Sequence, residues 1–264
     1  MPEPQERLRE HIHLLGDLLG ETIIEQEGRA LFEQVEAVRS LAKASRGEGE
    51  EPQREGPQRE GPQGATELHP EALDRLLALT HRLSLTEARG VLKAFASYFQ
   101  LVNLAEEEER VRVLHARGRR AHQDGIAAAE SIAAAVQQLA ASGVTADAMQ
   151  ALLDNLYVQP VFTAHPTEAK RRTILTKHQN IAHLLHEMDF HTLTAEEAQR
   201  TLEALREEIV SLWQSDETRL RQPSVVDEVR NGLYFFDQVL FDLTPLLYRS
   251  LSDALAAAYP GHAF

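Results

Sequence analysis

Val161-Phe162-Thr163-Ala164-His165-Pro166-Thr167-Glu168-Ala169-Lys170-Arg171-Arg172 is the one place in the chain where an apolar extended run, a polar hinge and a basic helix meet. Tyr157 to Ala164 is rich in β-branched and aromatic residues without helical period, and Pro160 near its start removes a donor that an early strand position can spare, so the run predicts a β-strand. His165 precedes a proline, which disfavours the α region and holds the imidazole on extended backbone just past the strand end. Thr167 is a good N-cap for a helix from Glu168 to about His186. The first turns of that helix carry Lys170, Arg171 and Arg172, with Lys177 further on, against Glu168 alone. Unpaired N–H groups and a partial positive charge at a helix start suit phosphate or carboxylate. This makes Arg171 and Arg172 candidate anion-binding residues and His165 a candidate catalytic residue. By residue type alone, a strand-capping histidine and a solvated basic face explain the same pattern.

The surroundings of this segment limit what it can serve. The chain has 264 residues, 43% of them apolar, enough for a sizeable core. It has no cysteine, which excludes disulfides, a thiolate nucleophile and cysteine-ligated zinc, and fits a reducing cytoplasm. The formal net charge is −14, against the basic stripe expected of a nucleic-acid binder. The first residues are acidic and polar, and no run reaches the length of a membrane span. A cytoplasmic protein without nucleic-acid or membrane partners is expected.

Around the central segment the pattern is helical. Leu8 to about Lys43 reads as a helical pair, and Pro70 to about Leu83 as a further helix. Ser84 with Glu87 makes a capping box for a helix to about Leu104, whose apolar positions Val91, Leu92, Phe95, Phe99 and Val102 recur at helical spacing. The acidic run Glu106 to Glu109 points around a helix rather than to one locus, as a solvated face does. An alanine-rich helix is expected over Gly125 to Ala141, and a short one capped by Thr145 ends near Asn155. Thr194 with Glu197 caps a helix through Trp213, the only tryptophan, read as a packing residue. Ser224 and Asp227 start a long helix to about Ala258, bent at Pro245. Residues 45–64 change to Gly, Glu, Pro, Gln and Arg, and Arg54-Glu55-Gly56-Pro57-Gln58 repeats at once as residues 59–63. Such a segment has nothing apolar to bury against the entropy of ordering and reads as a disordered insertion. His178, His183 and His186 share one helix, but their spacing lacks the two-histidine pattern of zinc proteases, so no metal ligand is assigned here.

Thr163-Ala164-His165-Pro166-Thr167-Glu168-x-x-Arg171-Arg172 resembles the N-terminal active-site signature of phosphoenolpyruvate carboxylases at every specified position. Three further stretches resemble the same family in the family's order: residues 14–21 with residues 25–28, residues 94–107, and Ser215-Asp216-Glu217-Thr218-Arg219 with Pro223 to Leu233. The resemblance implies a mainly α-helical segment with one β-strand, the N-terminal part of a helix-decorated TIM (β/α)8 barrel, with residues 1–264 as the first portion of one large catalytic domain. It implies phosphoenolpyruvate and bicarbonate as substrates, oxaloacetate and phosphate as products, Mg²⁺ as cofactor with ligands outside this chain, and a homotetramer. His165 would be the proton acceptor as carboxyphosphate breaks down, in a chain inactive alone. Arg219, Arg221 and Arg230 have acidic neighbours and read first as structural ion pairs. A phosphoryl-handling enzyme using His165 as phosphate acceptor, and a non-catalytic helical scaffold, are the alternatives from the residues themselves.

Overall fold

Helix boundaries in this chain are written in short-range chemistry. The computed structural model describes residues 4–46, 69–159, 161, 171–215 and 224–264. Helices α1 (Pro4–Glu27) and α2 (Arg29–Ser45) form the expected pair, separated only by Gly28. Its φ of 92° is a left-handed conformation that glycine adopts without a Cβ penalty, so the chain can reverse within one residue. Helix α2 includes Ser45, while residues 47–64 of the expected insertion lie outside the described residues. Helix α3 (Pro70–Arg82) has its proline in the first turn.

Helix α4 (Leu85–Gln123) opens on the predicted capping box: the Ser84 N–H donates to Glu87 Oε2 at 2.8 Å and the Glu87 N–H to Ser84 Oγ at 3.3 Å. Gln34 of α2 adds a third donor at 2.6 Å. The Ser84 hydroxyl and N–H, followed by Gln34, hold the Glu87 carboxyl down at about 2. The helix runs 39 residues, well past the expected end near Leu104, because the Glu- and Arg-rich stretch that follows contains strong helix formers and Glu109 pairs with Arg112 at 2.7 Å. Helix α5 (Ile132–Ala141) is shorter than its alanine-rich sequence implies. Gly125 and Glu130 adopt φ of 67° and 63°, which breaks the run, and the Ser131 hydroxyl caps the new start by accepting from the Ala134 N–H. Thr145 caps α6 (Ala146–Asp154) in the same way.

Helix α7 spans Arg172–Phe190, and α8 (Ala195–Gln214) begins at the Thr194–Glu197 capping box. Helix α9 (Val225–Phe235) begins at a second such box, Ser224–Asp227, and continues through a π-helical turn at Phe236–Leu240 into α10 (Phe241–Ala258). Helix α10 continues through Pro245, where a bend was expected, and the irregular turn lies before it at Phe236–Leu240. Proline at 245 has no N–H to give to the preceding turn, and the neighbouring Thr244 hydroxyl donates to the Leu240 carbonyl at 2.7 Å.

The strand expected over Tyr157 to Ala164 is overturned where the run is described, Pro160 and Phe162 to Ala164 lying outside the described residues. Among the described residues there is no strand, and Leu156 to Gln159 and Val161 carry no sheet pairing. Tyr157, Val158 and Val161 are each more than three-quarters exposed. A strand exists only as part of a ladder, and no second extended segment among the described residues offers Tyr157 to Gln159 its donors and acceptors. The one-strand, barrel-like fold class is replaced by an all-helical one over these residues.

The chain divides into two compact units. In the first, residues 1–108 and 176–215, α1 packs on α2 and α8, and α2 on α3. Leu15, Leu19 and Ile23 of α1, Ile181 and Leu185 of α7, and Leu205, Ile209 and Trp213 of α8 are buried there. Trp213 packs as expected: it is 2% exposed, with its indole N–H toward Glu27 at 3.3 Å and the Lys93 ammonium 4.6 Å from its ring centre. Helix α4 buries Val91, Ala94, Leu101, Leu104 and Ala105, whereas Leu92 and Phe99, both expected in the core, are exposed. In the second unit, residues 109–175 and 216–264, Ala254 and Leu255 of α10 meet Val136 of α5 and Met149 of α6. The Tyr259 hydroxyl donates to the Val144 carbonyl at 3.0 Å.

Candidate functional site

His165, with Pro160, Phe162 to Glu168 and Lys170, lies outside the described residues, as do Arg219 and Arg221. What is described is the basic start of α7. The Arg171 carbonyl accepts the first helical bond, from the Leu175 N–H at 3.1 Å, so its backbone already forms part of the helix entry. Its side chain is half-buried.

Arg172 has a defined setting. Its Nη2 donates to the Arg230 carbonyl at 3.0 Å, and its guanidinium carbon sits 5.5 Å from the centre of the Tyr234 ring. A cation above an aromatic face is attracted by the ring quadrupole, so α9 orients this guanidinium from below. The arginine remains exposed, and among the described residues only Nη2 of its five-donor guanidinium has a hydrogen-bond partner. Tyr234 was not legible as part of this arrangement, because it lies on another helix and no spacing rule links it to position 172. Arg230 sends its own guanidinium toward Asp227 at 3.9 Å, the ion pair expected of it. Lys177, counted from sequence with the basic cluster, is neutralised: its Nζ lies 2.9 Å from Glu208, which also accepts from Asn180 at 2.7 Å.

The three histidines of α7 diverge. His178 meets Gln100 at 2.7 Å, His183 lies 3.6 Å from Glu187, and His186 lies 3.3 Å from Glu108 while stacking on Phe190 at 4.2 Å. Glu108 and Glu109 are therefore engaged, half-buried side chains, whereas Glu106 and Glu107 of the acidic run are exposed. Among the described residues no group of three His, Asp or Glu side chains could hold a metal ion.

Sequence reasoning also missed a buried charge cluster at the far end of α7. The Asp189 side chain, 2% exposed, accepts from Arg7 Nε at 2.7 Å and lies 3.3 Å from His11 Nε2, itself buried. His11 Nε2 has no hydrogen-bond partner of good geometry, so the contact is one of proximity rather than an aligned bond. Burial alone would push the Asp189 carboxyl up, but His11 and Arg7 together outweigh it and hold the carboxyl below its ordinary value. The only signal in the sequence was an aspartate next to apolar positions on an amphipathic helix, with partners some 180 residues away.

The sequence model of phosphoenolpyruvate carboxylases matches residues 8–264. The chain belongs to the phosphoenolpyruvate carboxylase family. Among curated relatives it is 45% identical over 260 residues to a phosphoenolpyruvate carboxylase of Roseiflexus castenholzii, a match covering 97% of this chain and 25% of the relative. It is 36% identical over 252 residues to that of Rhodothermus marinus and 36% over 255 residues to that of Aromatoleum aromaticum, each match covering 96% of the chain and 25% of the relative. The chain thus spans about a quarter of the length of these phosphoenolpyruvate carboxylases. No helix among the described residues is long and apolar enough to cross a membrane.

Proposed function

We propose that this chain supplies the histidine-bearing part of an enzyme that converts phosphoenolpyruvate and bicarbonate to oxaloacetate and phosphate. The observation that carries the reading is the family match across residues 8–264, which includes the complete Thr163-to-Arg172 signature. His165 takes the proton of carboxyphosphate as that intermediate breaks down to CO₂ and phosphate, leaving CO₂ to be attacked by the enolate of pyruvate. An imidazole is suited to this work because its ordinary pKa lies close to the operating pH. Arg171 and Arg172 hold anionic oxygens beside it. Arg172 suits that role because its contacts with the Arg230 carbonyl and Tyr234 fix the guanidinium and, among the described residues, take up one of its donors. The family's Mg²⁺ finds no ligand set among the described residues, so no step here is routed through it. The complete assembly is a soluble homo-oligomer of the cytoplasm, and the chain alone does not carboxylate.

The test is a chimera in which residues 1–264 replace the matching quarter of the Roseiflexus castenholzii relative. With His165→Asn, oxaloacetate formation in a coupled assay should fall by roughly 10² to 10⁴, the usual contribution of a positioned acid or base. Turnover near that of the parent chimera would remove His165 from the chemistry. Phosphate release that persists without carboxylation would place the defect after carboxyphosphate forms.

A further inference from the structure

Arg172 is fixed by groups that leave its charge intact. Several basic side chains of this acidic chain are held by carboxylates instead: Arg39 by Glu36, Arg112 by Glu109, Lys177 by Glu208 and Arg206 by Glu25. The groups that fix Arg172 are neutral, the Arg230 carbonyl at 3.0 Å from Nη2 and the Tyr234 ring, whose centre lies 5.5 Å from the guanidinium carbon. The Arg230 guanidinium, which would repel it, is drawn toward Asp227 at 3.9 Å.

The two contacts divide the work between them. Residues four apart on a helix share a face, so the carbonyl of Arg230 and the ring of Tyr234 meet Arg172 from one side of α9. A single hydrogen bond lets a guanidinium swing about the donor–acceptor axis, and a ring face one turn further on removes that freedom. The ring is itself braced: Tyr234 is half-buried, and Phe235 meets it edge-on at 5.5 Å. Directly after this pair the helix opens into the π-helical turn at Phe236–Leu240, an irregularity frequent where a helix serves a site. A carboxylate at position 234 would hold the guanidinium as firmly but would cancel the charge an anion needs, whereas an aromatic face attracts a cation and stays neutral. Resting on the reading of Arg172 as an anion-holding residue, we propose that Tyr234 is its positioning residue. The ring sets the plane of the guanidinium, so that an undiminished positive charge meets the anionic oxygens of the reaction, while Tyr234 touches no substrate.

The experiment is a kinetic double-mutant cycle in the single-chain chimera. Arg172→Gln should lower kcat/KM for oxaloacetate formation by about 10², as loss of a donor to developing negative charge does. Tyr234→Leu should lower it about ten-fold, because the guanidinium remains but is no longer aimed. Tyr234→Phe, which keeps the ring face and loses only the hydroxyl, should stay within about two-fold of the parent. In the Arg172→Gln background, Tyr234→Leu should change little further, since the group it aims is gone. An impaired Arg172→Gln beside an unchanged Tyr234→Leu would overturn the proposal alone, as would losses that multiply or a Tyr234→Phe as impaired as Tyr234→Leu. An unchanged Arg172→Gln would overturn the anion-holding reading and the proposal with it. The same cycle read by urea unfolding of the 264-residue chain, followed by helical circular dichroism, needs no turnover. Tyr234→Leu should shift the midpoint less once residue 172 is Gln, and equal shifts in both backgrounds would overturn the contact on which the proposal stands.

Discussion

Asp189→Asn should loosen the first unit measurably, and the structure sets the size of the effect. The substitution keeps the shape of the side chain and removes a charge that is 2% exposed. Arg7 loses a charge-assisted hydrogen bond at 2.7 Å, but it is one-third exposed and retains Glu10 at 2.8 Å, so solvent and that second partner soften its loss. His11 has no such recourse, being buried beside the altered group. A hydrogen bond to a charged group contributes about 1.5–3 kcal/mol. With Arg7 partly screened by solvent, a loss of about 1–2 kcal/mol is expected at neutral pH. Trp213 reports the same unit, so urea unfolding followed by its emission isolates the effect even where the two units unfold separately. The pH dependence has a definite sign. The folded carboxyl lies below its ordinary value of 3.8, so its contribution is complete above that value and lost as the pH falls through the folded one. The gap between parent and variant should therefore shrink on strong acidification. An unchanged midpoint at neutral pH, or a gap that widens in acid, would refute the reasoning.

Two further tests use α1 and α4. The Glu87 carboxyl should titrate at about 2 in a carbon-detected NMR titration instead of its ordinary 4.5, so the cap's contribution is complete above about pH 4.5 and lost as the pH falls through about 2; Ser84→Ala should move the titration upward. Gly118→Ala, where an added Cβ meets nothing within 4 Å, should stabilise α4 by up to about 1 kcal/mol, the ordinary helix-propensity gain. Gly20→Ala should instead destabilise the chain by about 1–2 kcal/mol, because the new Cβ falls 2.9 Å from the stiff Phe32 ring and overpacking outweighs propensity. Denaturant midpoints that move in the same direction for the two alanines would show that local propensity decides both sites.

The sequence by itself determined where most helices begin and which family the chain belongs to. Capping boxes at Ser84–Glu87, Thr194–Glu197 and Ser224–Asp227 act between residues three apart, so their chemistry is complete within a short window of sequence. Gly28 breaks α1 from α2 for an equally local reason, its positive φ. The proposed site is read from a motif, His165, Arg171 and Arg172 in signature spacing, of which only the two arginines lie among the described residues. Tertiary structure alone decided the rest. Period could place Val91, Leu92 and Phe99 on an apolar face of α4, but the fold buries Val91 with Ala94 and Leu101 and leaves Leu92 and Phe99 exposed, and only the packed neighbours set which side faces inward. Arg172 found Tyr234, and Asp189 found Arg7 and His11, across separations that no short-range rule spans. The run at Tyr157 has every local preference for a strand, yet a strand is a property of two segments, and among the described residues no second one pairs with it.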